Sequence, residues 1–267
     1  PKSHQKLDKT AQAREAGKSD NNLAVYFASA CGYMVPVSYP FDDLSGDPVR
    51  TAVELLLEGP RSDDLFRTIP KGTRLKDCYI SDDTAFLDFS EEFYQLSNTK
   101  DTANAVKSLC LTMGSIPGVE KVQVLVEGQL PSEIHGVSMG TILEHGWVNY
   151  SGSEGEGSKY IVYFGDCSSQ YMVPITYLTE SSESIPRAAV AKLVEGPGVG
   201  YLKPTVNNGT KLLGFKIKDG IAYVDLSGEV TEYGKDNAAE DRLVNSLLLT
   251  LGQFSDIKGV QMTIEGK

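Results

Sequence analysis

Two periods of apolar residues alternate along the chain. The runs LAVYFA at 23–28 and MVPVSY at 34–39 are β-branched and aromatic, and SACGY between them supplies a turn, so they predict two neighbouring strands. Val49, Ala52, Val53 and Leu56 then fall at helical spacing. Asp47 before Pro48 marks the start of that helix, and Gly59-Pro60 marks its end. Further on, strands are predicted near 74–80 and 84–89, with hairpin-turn residues Asp82-Asp83 between them. A second stripe, Val106, Leu109, Cys110 and Met113, predicts a helix stopped by Gly114, and VQVLVEG at 122–128 closes the series as a strand.

The whole series occurs twice. VYF at 25–27 returns at 162–164, YMVPVSY at 33–39 as YMVPITY at 171–177, and LLEGP at 56–60 as LVEGP at 193–197. TAFLDFS at 84–90 returns as IAYVDLS at 221–227, and KVQVLVEG at 121–128 as GVQMTIEG at 259–266. An offset of 137 to 138 residues is too long for a solenoid unit of roughly 20–50 residues and fits two complete domains. Each predicts the order β-β-α-β-β-α-β. Helix stripes need a sheet face to cover them, so the predicted class is α+β, with two tandem two-layer sandwiches, each a small mixed sheet under two helices.

The flanks are different in kind. Residues 1–22 carry five basic and three acidic side chains with Leu7 as the one large aliphatic residue, which predicts a disordered tether. The domains are placed at 23–150 and 160–267, with a Gly/Ser/Glu linker at 151–159. The stretch 130–150 holds Ile134, Val137, Met139, Ile142, Leu143, Trp147 and Val148 and is too apolar to be only a linker. It is expected to pack on the first repeat or in the crevice between the repeats.

Composition changes the picture by exclusion. Lys plus Arg number 25 against 36 Asp plus Glu, a net charge of −11 that repels nucleic acid and anionic lipid. No apolar run is long enough for a spanning helix. Cys31, Cys78, Cys110 and Cys167 show no CxxC spacing and no nearby His, so neither a metal nor another cofactor is expected, and the thiols read as free core or loop side chains.

Candidate chemistry is sparse. His4, His135 and His145 have no repeated counterpart, and no G-x-S-x-G, GxxxxGK[ST] or GxGxxG occurs. Asp88 with Ser90 and Asp225 with Ser227 recur at a strand end. They read either as a carboxylate and hydroxyl of a ligand site or, the favoured reading, as groups that take up backbone N–H where the strand turns. Glu58 and Glu195 sit at helix C-termini, where solvent exposure is expected. Tyr26, Tyr33, Tyr39, Tyr163, Tyr171 and Tyr177 recur pairwise in the leading strands. Core packing accounts for most of them, and an exposed first or second strand would make them an interface for strand addition.

The succession vYF, Y-x-VP(V/I), L-x-EGP, x-GT-x-L, a-x-(V/L)D(F/L)S, S-L-x-LT-x-G and V-x-(V/I)-x-(V/I)EG, twice in order over nearly all of 23–266, resembles the GerM domain family of sporulation and spore germination proteins. Residues 134–149 are similar to the segment that follows a first domain in that family. The resemblance implies a fold similar to ring-building-motif domains and a non-enzymatic scaffold or assembly factor of endospore formation. It implies lipoproteins held outside the cytoplasm by an anchor upstream of residue 1, in the space between mother cell and forespore. Other sporulation envelope proteins are the expected partners, with self-association as a further possibility and no cofactor. A cell-wall glycan-binding module is the alternative, and a hydrolase using Asp88, Asp225 or His145 ranks last.

Overall fold

The computed structural model of the chain describes residues 22–41, 46–140, 143–144, 148–150, 157–179, 184–198, 200–232 and 238–267. The expected tether apart from Asn22, residues 151–156 of the spacer, His4, His145 and Trp147 lie outside the described residues. Contacts gather the chain into two compact units, one ending at Tyr150 and the other opening at Ser151.

In repeat one, β1 (Asn22–Ser29) and β2 (Met34–Pro40) form an antiparallel hairpin, extended at one end by the two-residue β3 (Leu65–Phe66). Helix α1 (Pro48–Glu58) begins as the sequence predicts: the Asp47 carboxylate accepts the N–H groups of Val49 and Arg50, and Gly59 ends it with φ 83°. β4 (Leu75–Ser81) pairs antiparallel with β5 (Thr84–Phe89), and β5 pairs parallel with β6 (Lys121–Val126). Between them runs α2 (Thr99–Gly114), N-capped by Asn98. Its end departs from the expected mechanism: Gly114 has no positive φ, and the chain leaves through Ser115 in a right-handed turn.

The stretch after β6 packs on repeat one. β7 (Glu133–Ile134) and β8 (Val137–Ser138) make a small hairpin, β9 (Leu143–Glu144) joins the outer edge of β6, and Ile134 and Met139 are buried. Repeat two runs β10 (Ser158–Gly165), β11 (Met172–Thr179), α3 (Ile185–Glu195), β12 (Leu212–Lys218), β13 (Ile221–Leu226), α4 (Ala239–Gly252) and β14 (Gly259–Ile264). The pairings match those of repeat one, with β10–β11 antiparallel, β12–β13 antiparallel and β13–β14 parallel.

Each repeat is therefore α+β with two helices, as predicted, while its sheet is split into a leading hairpin and a separate mixed sheet, and the helices contact both. The alternation of β1 sends Val25 and Phe27 inward to meet Val53 and Leu56 of α1 and Leu109 and Met113 of α2, all closed to solvent. Val162, Phe164, Val190, Leu193, Leu247 and Leu251 do the same in repeat two. Each such side chain contributes about 1.5–3 kcal/mol by leaving water.

Candidate functional site

The repeated carboxylates and hydroxyls close the fold. Asp88 Oδ1 accepts the Gly128 N–H at 2.8 Å, and Asp225 Oδ1 accepts the Gly266 N–H at 2.9 Å and the Thr263 hydroxyl at 2.8 Å. Each acid thus fastens the end of β5 or β13 to the turn after its parallel neighbour, β6 or β14. The Ser90 N–H donates to the Arg74 carbonyl at 2.9 Å, and Ser90 Oγ accepts the Arg74 N–H at 3.0 Å and donates to Glu92. Ser227 does the same for the Lys211 N–H at 2.8 Å. The Ser90 hydroxyl holds the Glu92 carboxyl below its ordinary range, and Ser227 does so for Glu229. Each serine hydroxyl is committed to a backbone N–H across the turn and to the glutamate two residues on, so the favoured backbone-capping role of the Asp-x-Ser motif is the one the geometry carries.

Glu58 and Glu195 are exposed, as expected; Glu195 lies 3.2 Å from Lys192. His135 occupies the β7–β8 turn with φ 49°, its Nε2 2.6 Å from the Leu96 carbonyl and its own carbonyl accepting from Thr99. These bonds pin the segment after β6 to the start of α2. They are structural ties.

The tyrosines divide. Tyr39 is buried, with the Arg61 guanidinium 5.2 Å from its ring centre. Tyr177 donates its hydroxyl to the Pro197 carbonyl at 3.0 Å, stacks on Tyr160 and carries Lys192 Nζ 5.1 Å above its ring. Both serve packing at the EGP end of the first helix. Tyr26, Tyr33, Tyr163 and Tyr171 are half-buried, and burial raises the Tyr163 hydroxyl above its ordinary range.

Two helical residue types that the sequence reading passed over govern the edge of the leading strand. In repeat one, Thr112 Oγ1 accepts the Tyr26 N–H at 3.0 Å, Ser108 donates to the Tyr26 carbonyl at 2.5 Å, and Ser115 donates to the Ala24 carbonyl at 3.1 Å. In repeat two, Thr250 accepts the Tyr163 N–H at 3.1 Å and the Gln253 amide exchanges two bonds with the Ile161 backbone. A helix thus stands where another strand would add. The signal was present in the sequence, since Ser and Thr recur in SLCLTMG and SLLLTLG on the face that carries the leucines. The outer edge of β2 is blunted as well. Tyr26 faces Pro36, and Tyr26 directs its N–H away from β2, so the missing N–H groups of Pro36 and, at the same parity, Pro40 fall on the outer side. Asn149 clamps both backbone groups of Met34 there, at 2.8 and 2.7 Å. Strand addition to this hairpin, expected as one use of the tyrosines, meets a covered edge and a proline-blocked one.

The thiols also divide. Cys78 and Cys110 are buried and free, and burial pushes the Cys110 thiol up to about 12. Cys31 and Cys167, each in the turn of a leading hairpin, are disulfide-bonded, which corrects the reading of all four as free. Turn thiols are open to oxidation in a way that buried thiols are not, and sequence spacing alone carries no sign of it. In repeat two the same turn holds Asp166, whose buried carboxylate accepts the N–H groups of Ser168, Gln170 and Tyr171 and the Ser168 hydroxyl. Burial works to raise that carboxyl, but these donors outweigh it and hold it low. An open groove of about 550 Å³ in repeat one, bordered by Ala28, Phe66, Ile69, Lys71, Lys100 and Asp101, brings no repeated acid to a base. No described helix is long and apolar enough to cross a membrane.

Comparison with known proteins accords with this architecture. The chain is 28% identical to the spore germination protein GerM of Bacillus subtilis over 287 aligned positions, covering 96% of this chain and 78% of that protein. Its fold matches the solved tandem GerMN domains of the sporulation protein GerM from Bacillus subtilis with a TM-score of 0.69 at 24% identity, over 92% of this chain and 91% of that one. The relationship supports a role in sporulation and germination. The family model described as Germane: Sporulation and spore germination matches residues 24–131 and again 161–267, so the chain belongs to the Germane family and carries its domain twice.

Proposed function

We propose that the chain is a non-enzymatic assembly module of the spore-forming envelope, which joins protein partners through the outer surfaces of its two domains. The observation that carries this reading is that the acids and serines recurring at the strand ends, Asp88, Ser90, Asp225 and Ser227, are all engaged in closing the fold. What the duplication repeats is a scaffold. The half-buried Tyr26, Tyr33 and Tyr171 belong to the surface offered to partners, where an aromatic body with a polar tip is favoured. The same reading places the protein outside the cytoplasm, attached to a membrane through a lipid upstream of residue 1. The disulfide-bonded Cys31 and Cys167 support an oxidising compartment.

Photo-crosslinkers placed at Tyr26 and Tyr171 in sporulating cells are expected to trap discrete protein adducts. Turnover of ester, peptide or glycoside substrates that Asp88→Ala abolishes in a still-folded chain would contradict the reading. Sedimentation with cell wall in place of protein adducts would replace it with glycan binding. Thiol titration of the denatured protein is expected to find two reactive groups without reductant and four with it.

A further inference from the structure

The chain carries a net charge of −11, and in repeat one Arg50, Arg74, Lys76 and Lys121 each stand beside an acid. Along the open groove of about 550 Å³ in the same repeat the balance is reversed, with Arg67, Lys71 and Lys100 on its border against Asp101. The Arg67 guanidinium is engaged by the Leu57 and Glu58 carbonyls at the end of α1. Lys71 and Lys100 are exposed and enter no ion pair among the described residues. One comes from the chain after β3 and the other from the first turn of α2, so the positive charge arises where two elements meet.

Both elements are held in place. Thr68 donates to Ser108 at 2.8 Å in the interior, which ties the chain after β3 to α2. Asn98 caps α2 by accepting the Asp101 N–H at 2.9 Å, and its amide donates to the Asp101 carboxylate at 3.0 Å. Between the two lies Ile69, closed to solvent, whereas Phe66 on the border is 52% exposed. A half-bare aromatic ring beside unpaired cations has the make-up of a contact anchor with a polar rim.

Repeat two keeps the support and lacks these three side chains. Lys203 bridges to Gly165 as Phe66 pairs with Ala28, so Lys203 takes the place of Phe66. By the same count Asn208 replaces Lys71, and with Ser246 aligned on Ser108, Ala238 replaces Lys100. The buried bond recurs from Thr205 to Ser246. The fold therefore forms without the ring and the two ammonium groups, which are particular to repeat one.

We propose that this groove docks an extended acidic segment of a partner protein, with carboxylates at Lys71 and Lys100 and an apolar side chain against Phe66. This rests on the assembly reading above and names one contact for it. Charge selects the occupant. An acidic segment gains from two ammonium groups that no acid of the described protein neutralises, whereas two copies of a chain at −11 repel each other. An open groove also suits a chain laid along it better than an enclosed small molecule.

The test selects peptides from a random displayed library on the immobilised full chain and measures the labelled winners by fluorescence anisotropy. The winners are expected to be acidic with an apolar residue among the carboxylates, and to bind more weakly as salt rises. Lys71→Glu with Lys100→Glu should weaken binding roughly tenfold, and Phe66→Ala about fivefold, while Lys71→Arg with Lys100→Arg retains it. All three positions are exposed, and repeat two folds without these residues, so the variants are expected to fold. An empty selection, winners that are not acidic, or acidic winners indifferent to the charge reversal overturns the inference. Binding of purified cell-wall fragments that the reversal abolishes would give the groove to the wall and overturn the protein occupant. Adducts trapped at Tyr26 and Tyr171 whose formation ignores the reversal would refute this contact and leave the assembly reading intact.

Discussion

The two repeats share a topology and differ in how they finish it. In repeat one the segment after β6 returns as β9 and its Met139 carbonyl accepts the Gln123 amide, while Val122, Val124 and Val126 are buried. Repeat two reaches β14 and leaves the corresponding side chains half-open. The charged supports differ likewise. Lys121 pairs with Asp83 at 2.8 Å and Lys76 with Glu127 in repeat one, where repeat two has Gly259 with Gly220 and Leu213 with Glu265. Duplication has kept the helices and the hydroxyls that guard the leading strand, and has let the charged supports at the strand ends diverge.

The largest test of this contrast places the same charge at equivalent positions. Val124→Asp buries a carboxylate at a position closed to solvent and is expected to destabilise repeat one by more than about 4 kcal/mol, whereas Met262→Asp, half-exposed, should cost roughly 1–2 kcal/mol. Denaturant unfolding followed by exchange of core amides in each repeat reads both values, and equal losses would break the contrast.

Next comes the hairpin turn, where Asp166 in repeat two stands for Ser29 in repeat one. Asp166→Ala leaves three amides without their acceptor and should cost about 1–3 kcal/mol, while Ser29→Ala removes one bond from the Tyr33 N–H and should cost about 1 kcal/mol or less. The Asp166 carboxyl is held below its unfolded value, so its contribution is complete above the ordinary aspartate range and fades as pH falls through the depressed value. Acid unfolding of Asp166→Asn should accordingly show a shallower loss of stability with falling pH than the parent; an unchanged slope would assign the acid sensitivity elsewhere.

The smallest effect concerns buried hydroxyls. Thr205 donates to Ser246 at 2.8 Å, and its equivalent Thr68 to Ser108, while the hydroxyls of Thr73 and Thr210 are buried without a hydrogen-bond partner. Thr205→Val should lower stability by about 1 kcal/mol, and Thr210→Val should leave it unchanged or slightly higher. The opposite order in thermal melts would show that the Gly-Thr hydroxyl is satisfied in solution.

Much of this was legible from residues whose physics is local. Asp47 and Pro48 start α1, Gly59 ends it, and the stripe Val49, Ala52, Val53 and Leu56 faces the core, because capping and periodicity are written within a dozen positions. Cys110 in a leucine register is a core thiol for the same reason. What stayed hidden depends on distant neighbours. Thr112 and Thr250 read as small polar helix residues, and their bonds to Tyr26 and Tyr163 span 86 and 87 positions. β3, β7, β8 and β9 are two residues long, too short for alternation to appear. The different burial of β6 and β14 was invisible because VQVLVEG and VQMTIEG look alike, and the pairing of β6 with β9 is written in neither.

Amide hydrogen exchange on the free chain puts that distinction to the most direct measurement. The Val122 amide, paired outward with β9, is expected to exchange far more slowly than the amides of Val260 and Met262, while the Gly259 amide, donated toward β13, stays protected. Protection of Val260 and Met262 equal to that of Val122 would mean that the second edge is already closed, and would contradict the account.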